Sequence, residues 1–242
     1  MKKSNKTLLI GALLVLIVIV LLAIILRIGT ALNLGPSSAT KVERMAQIVS
    51  KVNKEFFYGE LLNKVYEVPA FDTLNVGGDC DIEIKNGNKS ELTLQGSKKA
   101  LGEVQVKILN NNLNIENLHE HVNIILTTPT LHKLRVGGAI KLTAHGIDTD
   151  KLIVNASGNG EFDFSGIARE VEFNLAGHNV VNADGLKAEA ININVVGEND
   201  IAVFASKSLQ ISGFGDTTLK YFGKPLQVRN YMVGQINIID MS

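Results

Sequence analysis

NASGNGEFDF, residues 155–164, sets a Gly/Asn turn between two runs in which every second residue is apolar. Leu152 and Val154 alternate before the turn, and Phe162 and Phe164 after it. A period of two means extended backbone with one buried face. The same pattern recurs along the chain. The counterparts of Gly158 are Gly78, Gly138, Gly177, Gly197 and Gly215, and the steps in chain order are 60, 20, 19, 20 and 18 residues. Four residues after each glycine stands an apolar residue: Ile82, Leu142, Phe162, Val181, Ile201 and Leu219. Before each lies another alternating pair, such as Leu134-x-Val136, Val171-x-Phe173 or Ile191-x-Ile193. A last, shifted copy runs from Leu226-x-Val228 to Gly234-x-Ile236-x-Ile238. Sixty is three times twenty, so the register is expected to continue through residues 79–137.

Each unit is therefore strand, tight turn, strand and a second polar corner, such as HGIDTD (145–150), SGIARE (165–170) or DGLKAE (184–189). A unit of about twenty residues cannot close a core alone, but stacked copies can, each pairing with the next. That predicts an all-β parallel β-helix, a solenoid with ~20-residue coils. Gly78, Gly138, Gly158, Gly177, Gly197 and Gly215 are its expected turn glycines, because corners need positive φ. An antiparallel sandwich also alternates strands and turns, but it has no reason to repeat one corner chemistry. Residues 98–103, KKALGE, fit a corner or short turn, and 125–134, ILTTPTLHKL, fit a joint at Pro129.

Composition narrows the function. Lys plus Arg and Asp plus Glu each number 24, so the basic bias of a nucleic-acid binder is missing and no nucleic-acid partner is expected. Aromatic residues are 5% with no Trp, which argues against aromatic-lined sugar platforms. A single cysteine, Cys80, excludes an internal disulfide and a Cys-rich zinc site.

Residues 8–26, LLIGALLVLIVIVLLAIIL, carry no charge and make about 28 Å of helix at 1.5 Å per residue, enough to cross a bilayer. A cleaved signal has a shorter apolar core and a small-residue cleavage site, whereas Arg27-Ile28-Gly29-Thr30-Ala31 follows here. The segment reads as an uncleaved signal-anchor. Lys2, Lys3 and Lys6 precede it and only Arg27 follows directly, which places the N-terminus in the cytoplasm. The C-terminal domain is then periplasmic or extracellular, on an inner-membrane anchor. Residues 29–40 form a linker. In 41–57, Val42, Met45, Val49, Val52 and Phe56 draw one helical stripe, which suits a helix docked on the next domain or a short coiled coil joining a homo-oligomer. The expected domains are 1–28, cytoplasmic tip and anchor; 29–65, linker and amphipathic helix; and 66–240, the solenoid, in sub-blocks 66–128 and 131–240.

YEVPAFDTLNVGGDCDIEIKNG (66–87), VNIILTTPTLHKLRVGGAIKL (122–142), SGNGEF (157–162) and GFGDTTLKYFGKP (213–225) resemble, in that order, the putative auto-transporter adhesin, head GIN domain family. The resemblance implies a right-handed β-helix-like fold in an envelope protein behind a signal or anchor, and no enzyme activity. The repeated Gly-Ser-Gly-Asp turn of that family becomes GGDCD (77–81), AGHNV (176–180) and VGEND (196–200) in this chain.

The corners carry a polar ladder: Asp79, Asp81, Asn159, Glu161, His178, Asn179, Glu198, Asn199, Asp200 and Asp216. Stacked oxygens suit Ca²⁺, but Asn and Asp also serve such turns themselves. A polysaccharide-active β-helix enzyme would need paired carboxylates, or a base with an Arg, and Asp163, Glu172 and Arg169 are the candidates. His119-Glu120-His121 resembles a strand-borne metal pair without a third ligand, and Cys80 lacks the basic neighbours that activate a thiol. No catalytic, metal or cofactor site is assigned. The expected role is non-catalytic binding, adhesion or scaffolding in the envelope, toward a glycan or another envelope protein. The alternatives are a polysaccharide-active enzyme and an end-to-end self-assembling scaffold.

Overall fold

The computed structural model of the protein describes residues 61–242. The span 8–26, its orientation, the linker and the helix expected at 41–57 lie outside the described residues. Among the described residues, no helix is long and apolar enough to cross a membrane.

The structure is all-β apart from one short helix. In chain order it contains β1 (Leu62–Glu67), β2 (Thr73–Asn86), β3 (Glu91–Gly96), α1 (Lys98–Glu103), β4 (Gln105–Leu109), β5 (Asn112–Thr128), β6 (Lys133–Phe222), β7 (Gln227–Val233) and β8 (Ile236–Asp240). The strand order is β1-β3-β5-β2-β6-β7, with β4 on β5 and β8 on β6. β1 starts inside the stretch read as linker.

The long strand is extended backbone bent at glycines. β2 runs parallel to its start without a slip, Leu74 on Leu134, Gly78 on Gly138 and Ile82 on Leu142. Further along, the glycines follow one another in a row. A Cβ on Gly158 would strike the backbone of Gly138, one on Gly177 that of Gly158, and so on through Gly197 and Gly215 to Gly234. Each of these glycines has positive φ. A side chain is thus excluded twice at each, by backbone conformation and by the peptide stacked on it.

The step of sixty is not three coils. Gly138 lies directly on Gly78. Between them the chain makes a short helix and antiparallel strands and returns as β5, which extends the stack beyond β2. β3 and β4 pair antiparallel with β5, and β5 pairs parallel with the other side of β2. Two features force this departure. Asn110 and Asn111, with φ of 49° and 61°, make the two-residue hairpin turn that reverses β4 into β5. The stretch KKALGE is also a helix and not a corner, because the Ser97 side chain caps it by accepting the Ala100 N–H at 3.0 Å. The helix buries Ala100 and Leu101 over the end of the core.

The core is a set of apolar columns. Four residues before each glycine stand Leu74, Leu134, Val154, Phe173, Ile193 and Ile211, all within 1% of complete burial. Leu113 of β5 extends this column at one end. At the other end the position falls to Asn230, paired with Ile211 and exposed, its carboxamide accepting the Met232 N–H at 2.9 Å. A polar residue closing an apolar column marks the end of the stack.

Candidate binding face

Alternation turns the residues one and three positions before each glycine outward, onto one side of the stack. The position three before reads Asn75, Arg135, Asn155, Asn174, Asn194 and Ser212, with Asn114 of β5 beside Asn75. These side chains bond to one another along the stack. The Asn75 amide donates to Asn114 Oδ1 at 2.7 Å, Asn174 to Asn155 Oδ1 at 2.9 Å, Asn194 to Asn174 Oδ1 at 2.8 Å, and the Ser212 hydroxyl to Asn194 Oδ1 at 2.7 Å. Arg135 interrupts the row and reaches Asn75 Oδ1 at 3.4 Å through Nη1. An amide in such a chain has its plane fixed while its outer polar atoms still face water.

The position one before the glycine grades along the same side. It is Gly77, Gly137, Ser157 and Ala176 at one end, then Val196, Phe214 and Val233, which are 57%, 61% and 62% exposed. Where this row has no side chains, the surface sinks into an open groove of about 520 Å³ lined by Asn75, Asn114, Lys133, Arg135, Asn155 and Ser157 among others. At the other end the row stands up as an apolar ridge beside exposed Tyr231.

The corner residues separate. Asn179 and Asn199 face inward and are buried, joined by an Asn179 amide to Asn199 Oδ1 bond of 3.0 Å. Asn179 Oδ1, Asn199 Nδ2 and Thr217 Oγ1 are buried without a partner. Their outward neighbours His178 and Glu198 meet at 3.3 Å, and Glu161 stands 4.0 Å from Lys141. No three His, Cys, Asp or Glu residues gather to hold a metal ion among the described residues.

His121 bonds Asp79 through Nδ1 at 2.9 Å and Asn123 through Nε2 at 3.1 Å, with Asp81 at 3.7 Å. The Asp79 hydrogen bond, more than the Asp81 charge, raises its pKa above the ordinary histidine value. Glu120 turns instead to α1, bonding Ser97 at 2.9 Å and Lys99 at 2.6 Å. Cys80 is buried, and desolvation, reinforced by Asp79 and Asp81, pushes its thiol up to about 12.

Arg169 and Glu172, two of the three residues an enzyme would need, have separate partners. Arg169 faces Asp150 at 3.6 Å, while Glu172 accepts from Asn174 at 2.8 Å and stands 3.9 Å from Lys151. No hydrogen bond or ion pair joins Asp163, Glu172 and Arg169 to one another. The amide row was the larger feature to find. Its signal is an Asn three residues before the glycine in NVGG (75–78), NASG (155–158), NLAG (174–177) and NVVG (194–197).

The pattern of a family described as putative auto-transporter adhesin, head GIN domain, matches residues 70–225. A crystal structure of a putative adhesin from Bacteroides fragilis NCTC 9343 is similar at a TM-score of 0.60 and 22% identity, over 74% of this chain and 97% of that one. A putative lipid binding protein from Parabacteroides distasonis ATCC 8503 aligns at 0.49 and 16%, over 76% and 98%. A putative adhesin from Parabacteroides merdae ATCC 43184 aligns at 0.47 and 13%, over 76% and 97%. At 22% identity the likeness to the Bacteroides fragilis structure is one of fold. No curated protein matches the chain.

Proposed function

Because the chain belongs to the putative auto-transporter adhesin, head GIN domain family, we propose that it is a cell-envelope protein that presents a non-catalytic binding side to glycans. In this reading residues 8–26 hold it in the membrane with the N-terminus inside. The domain outside winds as a right-handed parallel β-solenoid with coils of ~20 residues. The stacked glycine row and the parallel pairing of β2 with β5 and β6 support such winding.

One observation carries the functional reading: the row of side-chain amides fixed by hydrogen bonds of 2.7–2.9 Å on an exposed side. Asn75, Asn155 and Asn194 each keep one N–H and one carbonyl lone pair uncommitted among the described residues, the pairing that sugar hydroxyls require. Successive amides repeat at the strand spacing of about 4.8 Å, comparable to a pyranose repeat. Exposed Phe214 and Tyr231 add apolar faces for sugar rings at one end. The polysaccharide-active alternative gains no support from Asp163, Glu172 and Arg169, which lie in separate surroundings.

The test is glycan-array binding by the full chain in detergent, beside an Asn174→Ala/Asn194→Ala double variant. Retention of one glycan class, weakened at least about tenfold in the variant, is the expected result for two lost hydrogen bonds of about 1 kcal/mol each. Binding that ignores the double variant, or no glycan bound at all, overturns the reading.

A second reading has its own observation. The last coil, β7 and β8, has an open edge with Val228, Tyr231 and Val233 exposed. Unpaired strand edges associate. The opposite end carries α1, so end-to-end growth would meet a helix there. The mass of the full chain in solution decides between a monomer and a chain joined through that edge.

A further inference from the structure

We infer that the groove beside Arg135 is an oxyanion site, which takes a carboxylate or phosphate borne on a glycan-like polymer; this rests on reading that side as a glycan face. The floor of the groove is made by absent side chains, Gly77 and Gly137. A Cβ at Gly137 would stand 3.0 Å from Ser157 Oγ, so even a methyl would begin to fill it.

The groove brings together two cations that no carboxylate faces among the described residues, with one acid in its lining. Lys85, Lys99, Lys107, Lys141, Lys151, Arg169 and Lys207 each face a carboxylate within 4.0 Å. Lys133 and Arg135 form no such pair among the described residues. They lie two apart on β6, alternating with inward Leu134 and Val136, so both point out into the groove. The one acid in the lining, Glu116, is already held by Lys107 at 3.0 Å. The remaining polar lining is amide and hydroxyl, which neither neutralises the cations nor repels an anion.

Arg135 has unused capacity. A guanidinium offers five N–H donors, and its one side-chain bond among the described residues is the 3.4 Å contact to Asn75. A planar fork with free donors matches the two oxygens of a carboxylate or phosphate. Lys133 adds a second charge to the same concavity, where field lines concentrate. Asn75, Asn114, Asn155 and Ser157 around it suit the hydroxyls of the polymer that carries the anion.

The test is calorimetry on the full chain in detergent with polygalacturonate (carboxylate), poly(glycerol phosphate) (phosphodiester) and neutral dextran. One or both anionic polymers should bind more tightly than dextran, with affinity falling as salt rises. Arg135→Gln should weaken that binding at least about tenfold, and Lys133→Gln should weaken it less. Arg135→Lys, which keeps the charge and loses the fork, should fall between the parent and Arg135→Gln. Lys207→Gln, which removes an equal charge where Lys207 pairs with Glu189, should leave it unchanged. Whichever anionic polymer binds identifies the oxyanion. The inference fails if neither exceeds dextran, or if Arg135→Gln binds like the parent. If neutral glycans bind under those outcomes, the glycan face stands without the oxyanion site.

Discussion

Replacing Gly177 by Ala tests the stacking most directly. Its φ is +110°, and the added Cβ would drive into the carbonyl of Gly158 in the neighbouring strand. The left-handed backbone costs a non-glycine residue roughly 1–3 kcal/mol. The clash adds roughly 1–3 kcal/mol for a group forced into filled space. The Cβ is fixed by its own backbone and meets a backbone carbonyl, so no side chain can rotate away. The sum is about 2–6 kcal/mol. At roughly 2–4 °C per kcal/mol for a domain of this size, melting should fall by at least about 4 °C. Gly102 is the matched control: it lies in α1, and a Cβ there would meet nothing within 4 Å. Gly102→Ala removes unfolded-chain freedom and should stabilise by about 0.4–1 kcal/mol. Urea unfolding followed by far-ultraviolet circular dichroism reads both. The stacked-glycine account is refuted if Gly177→Ala stays within about 0.5 kcal/mol of the parent, the scale of an ordinary surface change.

Three further outcomes follow from the interior and from the β2–β5 ladder. Asn199→Ala strands the buried Asn179 amide that donates to it at 3.0 Å, and should destabilise by roughly 1–3 kcal/mol. A double Ala variant should cost less than the sum of the two single changes by urea unfolding, and additivity would deny the bond. The raised pKa of His121 means the folded state binds a proton that the unfolded chain releases near pH 6.5. Its contribution to stability is therefore complete below that pH and is lost as pH rises through the folded pKa. An NMR titration should place the His121 midpoint above 6.5, and Asp79→Asn should lower it; an unmoved midpoint would rule out Asp79 as the cause. Cys80, buried with its thiol pushed up to about 12, should resist a thiol-disulfide reagent at pH 8 until urea unfolds the chain. Prompt labelling of the native protein would contradict that.

The period of two and the glycine landmarks were enough to locate the apolar columns, because each follows from one local rule. An inward residue must be apolar, and a backbone pressed against a backbone can carry no Cβ. Leu134, Val154, Phe173, Ile193 and Ile211 could be placed in one column from spacing alone. The failure came between Gly78 and Gly138, where sixty residues looked like three missing units. Arithmetic on the landmark cannot tell three degraded coils from one excursion. The difference lay in short-range signals that counting passed over. Asn110-Asn111 stands where a two-residue hairpin turn needs positive φ, and Ser97 stands one residue before a short apolar-and-charged helix. Both reverse or redirect the chain, so the segment pairs antiparallel with β5 and leaves Gly138 to settle directly on Gly78.

The outward amide side is harder to read for a related reason. Polar residues at the corners drew attention because they stand beside the glycine, yet alternation sends Asn179 and Asn199 indoors and leaves His178 and Glu198 outside. Adjacent residues of one motif thus do opposite work, one pair inside the stack and one in water. The amide row stands three residues before the glycine, and its meaning is absent from any single copy. Asn155 alone is an ordinary half-buried polar residue. It belongs to an array only because Asn174, nineteen residues later, donates to it at 2.9 Å. Arg135 likewise reads as one surface charge until β2 lies beside it and Gly77 and Gly137 open the space in front of it. In a stacked chain the chemistry is written across coils, at right angles to the direction in which a sequence is read. Turn residues are therefore visible copy by copy, whereas an outward row of amides becomes visible only when the copies are laid in register and compared column by column.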